Sequence, residues 1–482
     1  MFKNILSVAT GALNKVLHVF SSQFVSTLTA LVVIAPFAAW IGGWFTGPSS
    51  YKIYFVGDNK QAGVLDSWQG IKSSLSDEQI DDIRVEMIQV DATPDDAEEV
   101  SKTIVNKDDT LMVIGHFSST ASSHALNHYM LADPPIPVIL PIESNPALDV
   151  RDSSRAYAPL FRLVPTDDLQ AEEAANFAEE TGAKRIWVIE DTETNPVYTQ
   201  YVAANFIRFI QDKYNEKSYL VDYCEDRGNL ANNCDTVKKW TSDHYHARVV
   251  LRTTLLAPPS REVVKSLNID FVFFVGQEEN CLLIANELGD FFNDTDKKPT
   301  LLAAKGCEKR LDKLSNAKIE RTYTINHVSA SDFYDRGYAG RPGKEAGLIL
   351  KDIFDRVRQS RSSFGEVFDK GFLSAVRFIF KWHRAPDVRL ALASEMERSI
   401  EKTTFSIDPG ASEKYDLKFQ KNGQVMGKKF HVWRLEKSGE ELKFVDLKKA
   451  PDGKKVAGSK NHDDERKAEL QKTGRRTRVS QN

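Results

Sequence analysis

Small hydroxyl side chains cluster directly after the apolar segment 111–114, where the sequence reads GHFSSTASS. The apolar segment is typical of a buried strand, and Ser118 and Ser119 then stand at the start of a helix. Serine is a favoured N-cap residue because its oxygen accepts a hydrogen bond from a free backbone N–H group. Hydroxyls at a helix N-terminus also suit a carboxylate ligand. The pattern therefore leaves two alternatives open, a helix cap and a ligand site.

Two histidines, His124 and His128, are spaced i and i+4 and would share one helix face. Imidazoles at that spacing can bind a metal, but the glutamate of an H-E-x-x-H motif and an evident third ligand are missing, which favours paired surface histidines. The sequence has no G-x-S-x-G segment, no G-x-x-x-x-G-K-[ST] loop and no clean G-x-G-x-x-G motif. We therefore expect a protein that is not an enzyme and that carries no cofactor and no metal.

The elements that must position these residues are short apolar strands that alternate with amphipathic helices. Continuous apolar strands of this kind predict parallel sheets that are covered on both faces. The first series has predicted strands at 51–57, 84–92, 111–117 and 136–142, with helices at 64–75, 95–105 and 119–131. After a break near Pro165, the second series has predicted strands at 185–191, 218–224, 248–254, 270–276 and 300–306, with helices at 196–214 and 279–290.

The C-terminal part of the folded region is predicted to contain helices followed by a β-hairpin. We predict a helix at 344–358, further helical structure to about residue 402, and a hairpin turn at Asn422-Gly423 between alternating strands. The two series together predict an α/β protein of two lobes. The loops at the carboxyl ends of the strands would line a cleft between the lobes, which is where open α/β sheets hold ligands.

Length and charge agree with a two-lobed protein. The chain of 482 residues exceeds what one hydrophobic core usually supports. The net charge of −4 gives no reason to expect nucleic acid as a partner. The segment 447–482 is different, because it holds 11 Lys/Arg against 5 Asp/Glu and has no hydrophobic periodicity. We expect this basic tail to be disordered.

The segment 24–47 is uncharged, apolar and long enough to cross a bilayer. Lys3 and Lys15 precede it, which favours a short cytoplasmic segment at 1–23. A cleaved signal peptide is the alternative, but the region before the apolar core is long and no clean cleavage site follows it. We expect an uncleaved, single-pass anchor with the rest of the chain outside the cytoplasm.

The four cysteines suit an exported protein. Two disulfides could connect Cys224, Cys234, Cys281 and Cys307 in three ways. We favour the pairs 224–234 and 281–307, because each would join neighbouring loops.

Several segments in register resemble one known family. LMVIGHFSST, IPVILPIESNPAL, FRLVPTDDLQAEEAANFA, RIWVIEDTETNPVYTQ, DFVFFVGQEEN and TLLAAKG are similar, in this order, to segments of the type I periplasmic binding proteins, and especially of the leucine/isoleucine/valine-binding subgroup. The resemblance covers roughly residues 51–435. It implies two Rossmann-like lobes joined by three hinge strands, with lobe 1 at 50–164 plus about 328–404 and lobe 2 at 165–327 plus about 405–446.

The resemblance also implies which residues bind the ligand. A ligand carboxylate would be held by Ser119, with Ser118 beside it, and by Ser144 in the segment PIESNP, which also contains Asn145. Across the cleft, the matching positions are Asn195, Tyr198, Gln277, Glu278 and Lys305.

Lys305 departs from the family pattern, because an acidic residue usually receives the ligand's ammonium at that position. A lysine would repel an ammonium. Four alternatives follow: Glu278 or Glu143 takes the ammonium, the ligand is not an ordinary α-amino acid, the cleft no longer binds ligand, or the alignment is displaced and Lys305 is a surface residue.

The function that the resemblance implies is that of a membrane-anchored, extracytoplasmic solute-binding protein. Its lobes would close on a small polar ligand, with a carboxylate expected, and it would present a surface to an ABC permease or another membrane partner. The alternative is an interaction or regulatory module with a degenerate ligand site.

Overall fold

The structure is a computed structural model that describes residues 50–75, 79–80, 83–148, 160–214, 218–222, 248–256, 258, 264–265, 267–292, 298–311, 321–327, 340–362, 385–402, 404–407, 415–420, 423–438 and 441–447. The expected membrane anchor, the short segment before it, the basic tail and the cysteines Cys224 and Cys234 lie outside these residues. Within the described residues, no helix is both long enough and apolar enough to span a bilayer.

The first lobe is built on a six-stranded sheet in the order β2-β3-β1-β4-β5-β6. Its strands are β1 (Ser50–Gly57), β2 (Gln79–Ile80), β3 (Ile83–Asp91), β4 (Thr110–Gly115), β5 (Val138–Leu140) and β6 (Leu160–Arg162). All neighbours pair in parallel except the short edge strand β2, which is antiparallel to β3.

Helices cover both faces of this sheet, as a parallel sheet requires. The first-lobe helices are α1 (Ala62–Ser74), α2 (Ala97–Val105), α3 (Ser119–Leu131), α8 (Gly340–Ser362) and α9 (Ala385–Lys402). Strand β1 shows the division, because Ile53 and Phe55 lie in the same core as α1, α8 and α9, whereas Tyr54 and Val56 lie in the core shared with α2 and α3.

The second lobe has an eight-stranded sheet in the order β16-β15-β12-β11-β10-β7-β9-β8. Its strands are β7 (Arg185–Glu190), β8 (Ser218–Asp222), β9 (Arg248–Thr254), β10 (Phe271–Val275), β11 (Thr300–Ala303), β12 (Thr322–Asn326), β15 (His431–Ser438) and β16 (Glu441–Asp446). Its helices are α4 (Asp167–Glu180), α5 (Pro196–Tyr214), α6 (Glu278–Phe291) and the short α7 (Glu308–Leu311). Helices α4 and α5 pack on one face and α6 on the other.

The sequence-based prediction of two parallel-sheet lobes is confirmed, and so are all nine predicted strands and the helices 119–131 and 196–214. The remaining predicted helices are present with shifted ends. The described elements that were not predicted from the sequence are β2, β6, β12, β13 (Phe405–Ile407), β16, α4 and α7. Strand β6 has three residues, which is too short for an alternation pattern, and α4 begins within the polar sequence TDDLQ.

The chain returns to the second lobe later than the expected position near residue 405. The small sheet of β13 (Phe405–Ile407) and β14 (Tyr415–Leu417) packs on the first lobe, because Phe405 and Phe419 both contact the ring of Phe161. This is a correction to the predicted boundary. The aromatic contacts, which join residues far apart in sequence, keep the segment to Val425 in the first lobe's core.

The predicted chain reversal near Gly423 is present, but the strand that follows it pairs in the other lobe. Gly423 has a φ of +69°, and Phe419 pairs with Val425 in an antiparallel bridge, so the chain reverses here as expected. Asn422 lies outside the described residues. However, the next strand, β15, pairs with β12 and β16 in the second lobe and is not the partner of β14.

Two of the connections between the lobes run side by side. Beside the first connection, the Gln424 amide donates to the Val164 carbonyl at 2.8 Å. From the other, Lys428 Nζ donates to the Leu163 carbonyl at 2.7 Å and also pairs with Glu345. These bonds tie the two connections together at the point where the lobes would rotate.

Candidate ligand-binding cleft

A cavity of about 280 Å³ lies between the two lobes. Its walls are the segments that follow β1, β4 and β5 in the first lobe and β7, β10 and β11 in the second, so it occupies the carboxyl ends of both parallel sheets. The lining residues are Asp58, Lys60, Gln61, Gly63, Phe117, Ser119, Ile142, Glu143, Thr194, Asn195, Tyr198, Gln277, Lys305 and Gly306. The walls of the cavity therefore combine polar and apolar side chains.

Strand β4 ends in a glycine that allows the following segment to turn into the cleft. Gly115 has a φ of +124°, and a Cβ on it would stand 2.2 Å from the Val56 carbonyl oxygen of β1. Because that distance is too short for any side chain, only glycine fits at this position. The turn positions Phe117 and Ser119 at the cavity wall.

The two serines at the start of α3 have different roles. Ser118 is the N-cap residue, and its oxygen accepts a hydrogen bond from the Ala121 backbone N–H at 3.1 Å. Ser119 instead lines the cavity, and its hydroxyl donates to Glu143 Oε2 at 2.9 Å. Ser118 is therefore a helix cap, whereas Ser119 lies at the wall of the candidate cleft.

Glu143 follows β5 and is a buried acid at the cavity wall, with 3% of its surface exposed. Burial disfavours the charged carboxylate and raises the pKa of Glu143 to about 7, although the nearby Lys305 and the Ser119 hydroxyl act in the opposite direction. Glu143 is therefore an acid that changes its charge near neutral pH.

Lys305 reaches across the cleft from the turn after β11. Its Nζ donates to the Ser144 hydroxyl and lies 3.3 Å from Asp167 Oδ1. It also lies 4.8 Å from the centre of the Tyr198 ring, a cation–π distance. Burial raises the pKa of Asp167, and the charge of Lys305 opposes that shift. Lys305 is therefore an internal partner of this acid and not a solvated surface residue.

Three further hydrogen bonds join the lobes beside the cavity. Asn195 Oδ1 accepts from both the backbone N–H and the hydroxyl of Thr120, at 3.1 and 2.9 Å. Asn145 donates to the Val197 carbonyl at 2.9 Å. Two residues expected to bind ligand thus connect the two walls directly, and the lobes are held against each other.

Of the remaining predicted site residues of the second lobe, two line the cavity and the side chain of the third lies outside the described residues. The Tyr198 hydroxyl donates to Gln170 at 3.1 Å within the second lobe. The ring of Tyr198 lines the cavity, with Lys305 Nζ 4.8 Å from its centre. Gln277 lines the cavity at the start of α6. Glu278 is the first residue of α6, and its side chain lies outside the described residues.

Sequence reasoning missed several lining residues and the acid that pairs with Lys305. The missed residues are Asp58, Lys60, Gln61, Phe117, Ile142, Thr194 and Asp167. Most of them lie at the end of a predicted strand or in the few residues after it, so strand position was a signal that could have found them. Asp167 had no such signal, because its role depends on the connection between lobes placing α4 against Ser144, whose carbonyl accepts from the Asp167 N–H at 2.8 Å.

A disulfide supports the second-lobe wall. Cys281 on α6 is bonded to Cys307, two residues after Lys305, which confirms that predicted pair. The bond ties the turn that carries Lys305 to the helix that begins at the cavity. The histidine pair is placed away from the cleft on α3, with His124 beside the Pro94 carbonyl and His128 3.9 Å from Glu98.

No protein-family model and no curated protein matches this sequence. The structure is similar to the leucine-binding protein LivK of Thermotoga maritima, with a TM-score of 0.56 and 16% identity over 82% of this chain and 97% of that one. It is also similar to an ABC-transporter solute-binding protein of Rhodopseudomonas palustris in complex with 3,4-dihydroxybenzoic acid, with a TM-score of 0.55 and 10% identity over 83% and 96% of the two chains.

A third similar structure is an ABC-transporter substrate-binding protein of Desulfitobacterium hafniense in complex with leucine. Its TM-score is 0.50 and its identity 13%, over 83% of this chain and 100% of the other. Each of these chains is matched over nearly its full length, so the likeness includes both lobes. The chain therefore has the fold of the type I periplasmic binding proteins.

Proposed function

We propose that this protein is a non-enzymatic solute-binding protein whose two lobes close on a small, carboxylate-bearing ligand. The observation that carries the proposal is the cavity between the lobes, which both sheets line at the carboxyl ends of their strands. The ligand would stabilise the closed arrangement by contacting both walls at once, which shifts an equilibrium between open and closed forms. Solved proteins of the same fold hold leucine or 3,4-dihydroxybenzoic acid, and both molecules carry a carboxylate.

The cellular setting belongs to the same proposal. The apolar segment 24–47 would anchor the protein in the inner membrane as a single span, with both lobes on the periplasmic side. There the closed form would present its surface to an ABC permease or to a sensory membrane partner. A freely diffusing binding protein would lack this tether, so the anchor favours a receptor that works beside a fixed partner.

A second candidate function is an interaction module with a degenerate ligand site. The observation that favours it is that the groups expected to hold ligand are already engaged with one another. Ser119 donates to Glu143, Ser144 receives Lys305, and Asn195 binds Thr120 across the cleft. A cleft closed by its own side chains needs no ligand to hold its two walls together.

Thermal unfolding of the full-length protein in detergent, with a panel of amino acids, aliphatic acids and benzoates, separates the two functions. A receptor shows an increase in Tm that depends on ligand concentration, because a ligand that binds the folded state stabilises it. Absence of any increase, for protein that unfolds cooperatively, would refute the receptor and leave the interaction module.

A matched pair of variants then locates the site. Ser119→Ala removes a hydroxyl at the cavity wall, whereas Ser122→Ala removes a buried hydroxyl one turn along α3, away from the cavity. We expect ligand binding measured by calorimetry to weaken by roughly 1–3 kcal/mol in the first variant and to be unchanged in the second. Equal affinities in both variants would place the ligand elsewhere.

A further inference from the structure

The cleft contains a cation site that the chain fills with its own side chain. Lys305 Nζ lies against the buried Asp167 carboxylate at 3.3 Å, contacts the Ser144 hydroxyl, and stands 4.8 Å from the centre of the Tyr198 ring. A carboxylate, a hydroxyl and an aromatic face are together the groups that would bind a ligand's ammonium. A second ammonium would have to lie beside Lys305 and would be repelled by it.

Two other described acids line the cavity, and of these Asp58 is half-buried whereas Glu143 is buried. The hydrogen bond from Ser119 holds the Oε2 atom of Glu143. The charges that act on it come from Lys305 after β11, Asp167 at the start of α4, and Arg162 on β6. When Glu143 and Asp167 are both ionised, their two negative charges cancel the two positive charges of Lys305 and Arg162.

A ligand carboxylate would add one negative charge beside the buried carboxyl groups of Glu143 and Asp167 and so change this balance. Protonation of Glu143 restores it, and burial already raises the pKa of Glu143 to about 7. A protonated Glu143 can still accept from Ser119 and can donate its own hydrogen to the ligand. The rim cation Lys60 does not serve instead, because it is exposed to water, which screens its charge.

We propose, resting on the solute-binding function above, that the cleft takes a carboxylic acid without an ammonium group, bound as its anion together with one proton that resides on Glu143. The ligand carboxylate lies between Lys305 and Glu143. The anion brings one negative charge and Glu143 loses one by binding the proton, so the charge of the cleft does not change. No bond of the ligand is made or broken.

Two pairs of ligands that differ only in the α-ammonium test the ligand class. They are 4-methylpentanoate with leucine, and 3-phenylpropionate with phenylalanine. Calorimetry on the full-length protein in detergent is expected to show at least about tenfold tighter binding of each acid than of its amino-acid counterpart, because the ammonium meets Lys305. Equal or tighter binding of the amino acids overturns this inference but leaves the receptor function in place.

Titrations in two buffers of different ionisation enthalpy count the protons. Above about pH 7 we expect uptake of up to one proton for each acid bound, with affinity falling by about tenfold per pH unit, because raising the pH ionises the free protein's Glu143. This count on the wild-type protein decides the proposal even where a variant fails to fold. Proton release, or no proton change, overturns it.

Glu143→Gln should bind the acids without proton uptake and with nearly constant affinity between about pH 6 and about pH 9. Asp58→Asn, which alters another carboxylate lining the cavity, is the matched control and should retain the uptake. Persistent uptake in Glu143→Gln overturns the assignment of the proton. Absence of binding by every compound, for correctly folded protein, overturns this inference and the receptor function together.

Discussion

The two walls of the cleft differ in the chemistry that they contribute. The first-lobe wall supplies hydroxyls and a carboxyl group, with Ser119 and Glu143 held to each other by a hydrogen bond. The second-lobe wall supplies a cation, Lys305, above the ring of Tyr198. In the pattern that the resemblance implies, the arrangement is reversed, because the first wall holds the ligand's carboxylate and the second provides an acid for its ammonium.

Residue types alone therefore do not define which charges a binding site presents to its ligand. Ser119 and Ser144 follow β4 and β5 as expected, yet the partner of each is a side chain of the same protein. Ser144 is engaged by Lys305 from the opposite wall, and Ser119 by the neighbouring Glu143. What a ligand meets is therefore the balance among Lys305, Asp167 and Glu143, which only the closed cleft brings together.

The largest expected effect tests the cation of the second wall. Lys305→Met should lower the free energy of unfolding by about 3–5 kcal/mol, because it leaves the buried Asp167 carboxylate without its ionic partner. Denaturant unfolding at neutral pH measures this loss. The double variant Lys305→Met/Asp167→Asn should recover most of it, and Lys60→Met at the exposed rim should change little. If the single and double variants are equally unstable, the ion pair has no structural role.

The next effect tests the acid of the first wall through its pH dependence. Because the pKa of Glu143 is raised from 4.5 to about 7, the folded protein binds this proton more tightly than the unfolded chain. The stability that this proton contributes, about 3 kcal/mol, is therefore fully present below about pH 4.5. It is lost as the pH rises through about 7. Gln does not ionise, so Glu143→Gln should be more stable than the wild type at pH 8 and similar to it at pH 4.5. Parallel stability curves would contradict the buried acid.

A smaller effect separates the two serines on the first wall. Ser118→Ala removes the helix cap and should cost about 1 kcal/mol of stability at any pH. Ser119→Ala removes the donor to Glu143, so its cost of about 1–2 kcal/mol should be larger above pH 7, where Glu143 is ionised, than below it. Unfolding curves of both variants at two pH values give the comparison. The same pH dependence in both would mean that Ser119 is no more than part of the cap.

The smallest effect tests the contact between the walls. Asn195→Ala removes two hydrogen bonds to Thr120, worth about 1–2 kcal/mol together, and should shift the ligand-free protein towards an open form. Small-angle scattering would record this as an increased radius of gyration, which a bound ligand reverses. Asn205→Ala is the control, because among the described residues Asn205 bonds to Tyr201 and Arg208 of its own helix α5. An unchanged radius would show that Asn195 does not hold the cleft closed.

Much of the fold could be predicted because it is encoded locally. The continuous apolar strands β1, β4, β7 and β10 and the helices between them have short-range patterns that predict a parallel sheet. The elements that were missed lack such a pattern. Strand β6 is three residues long, and the placement of β13 and β14 depends on ring contacts with Phe161 from more than two hundred residues away.

The sequence predicted which of several residues would lie at the cleft, but not which side chains would contact one another. Ser119, Asn195, Tyr198, Gln277 and Lys305 all line the cavity, since each follows a strand that ends at the cleft. Ser118 instead caps a helix. Ser144 accepts a hydrogen bond from Lys305, and Asn145 donates one to the Val197 carbonyl. Asp167 carried no signal, because an acid at a helix start ordinarily complements the helix dipole and needs no further role.

The sequence by itself determined two parallel-sheet lobes and the helix that begins at Ser119, because these follow from the periodicity of apolar residues within each lobe. Only the tertiary structure decided which charges face one another. Lys305, Asp167 and Glu143 are brought together by the lobes meeting at the carboxyl ends of both sheets. Burial there makes ionisation of Glu143 costly, and burial is a property of the closed cleft, not of any segment of the chain.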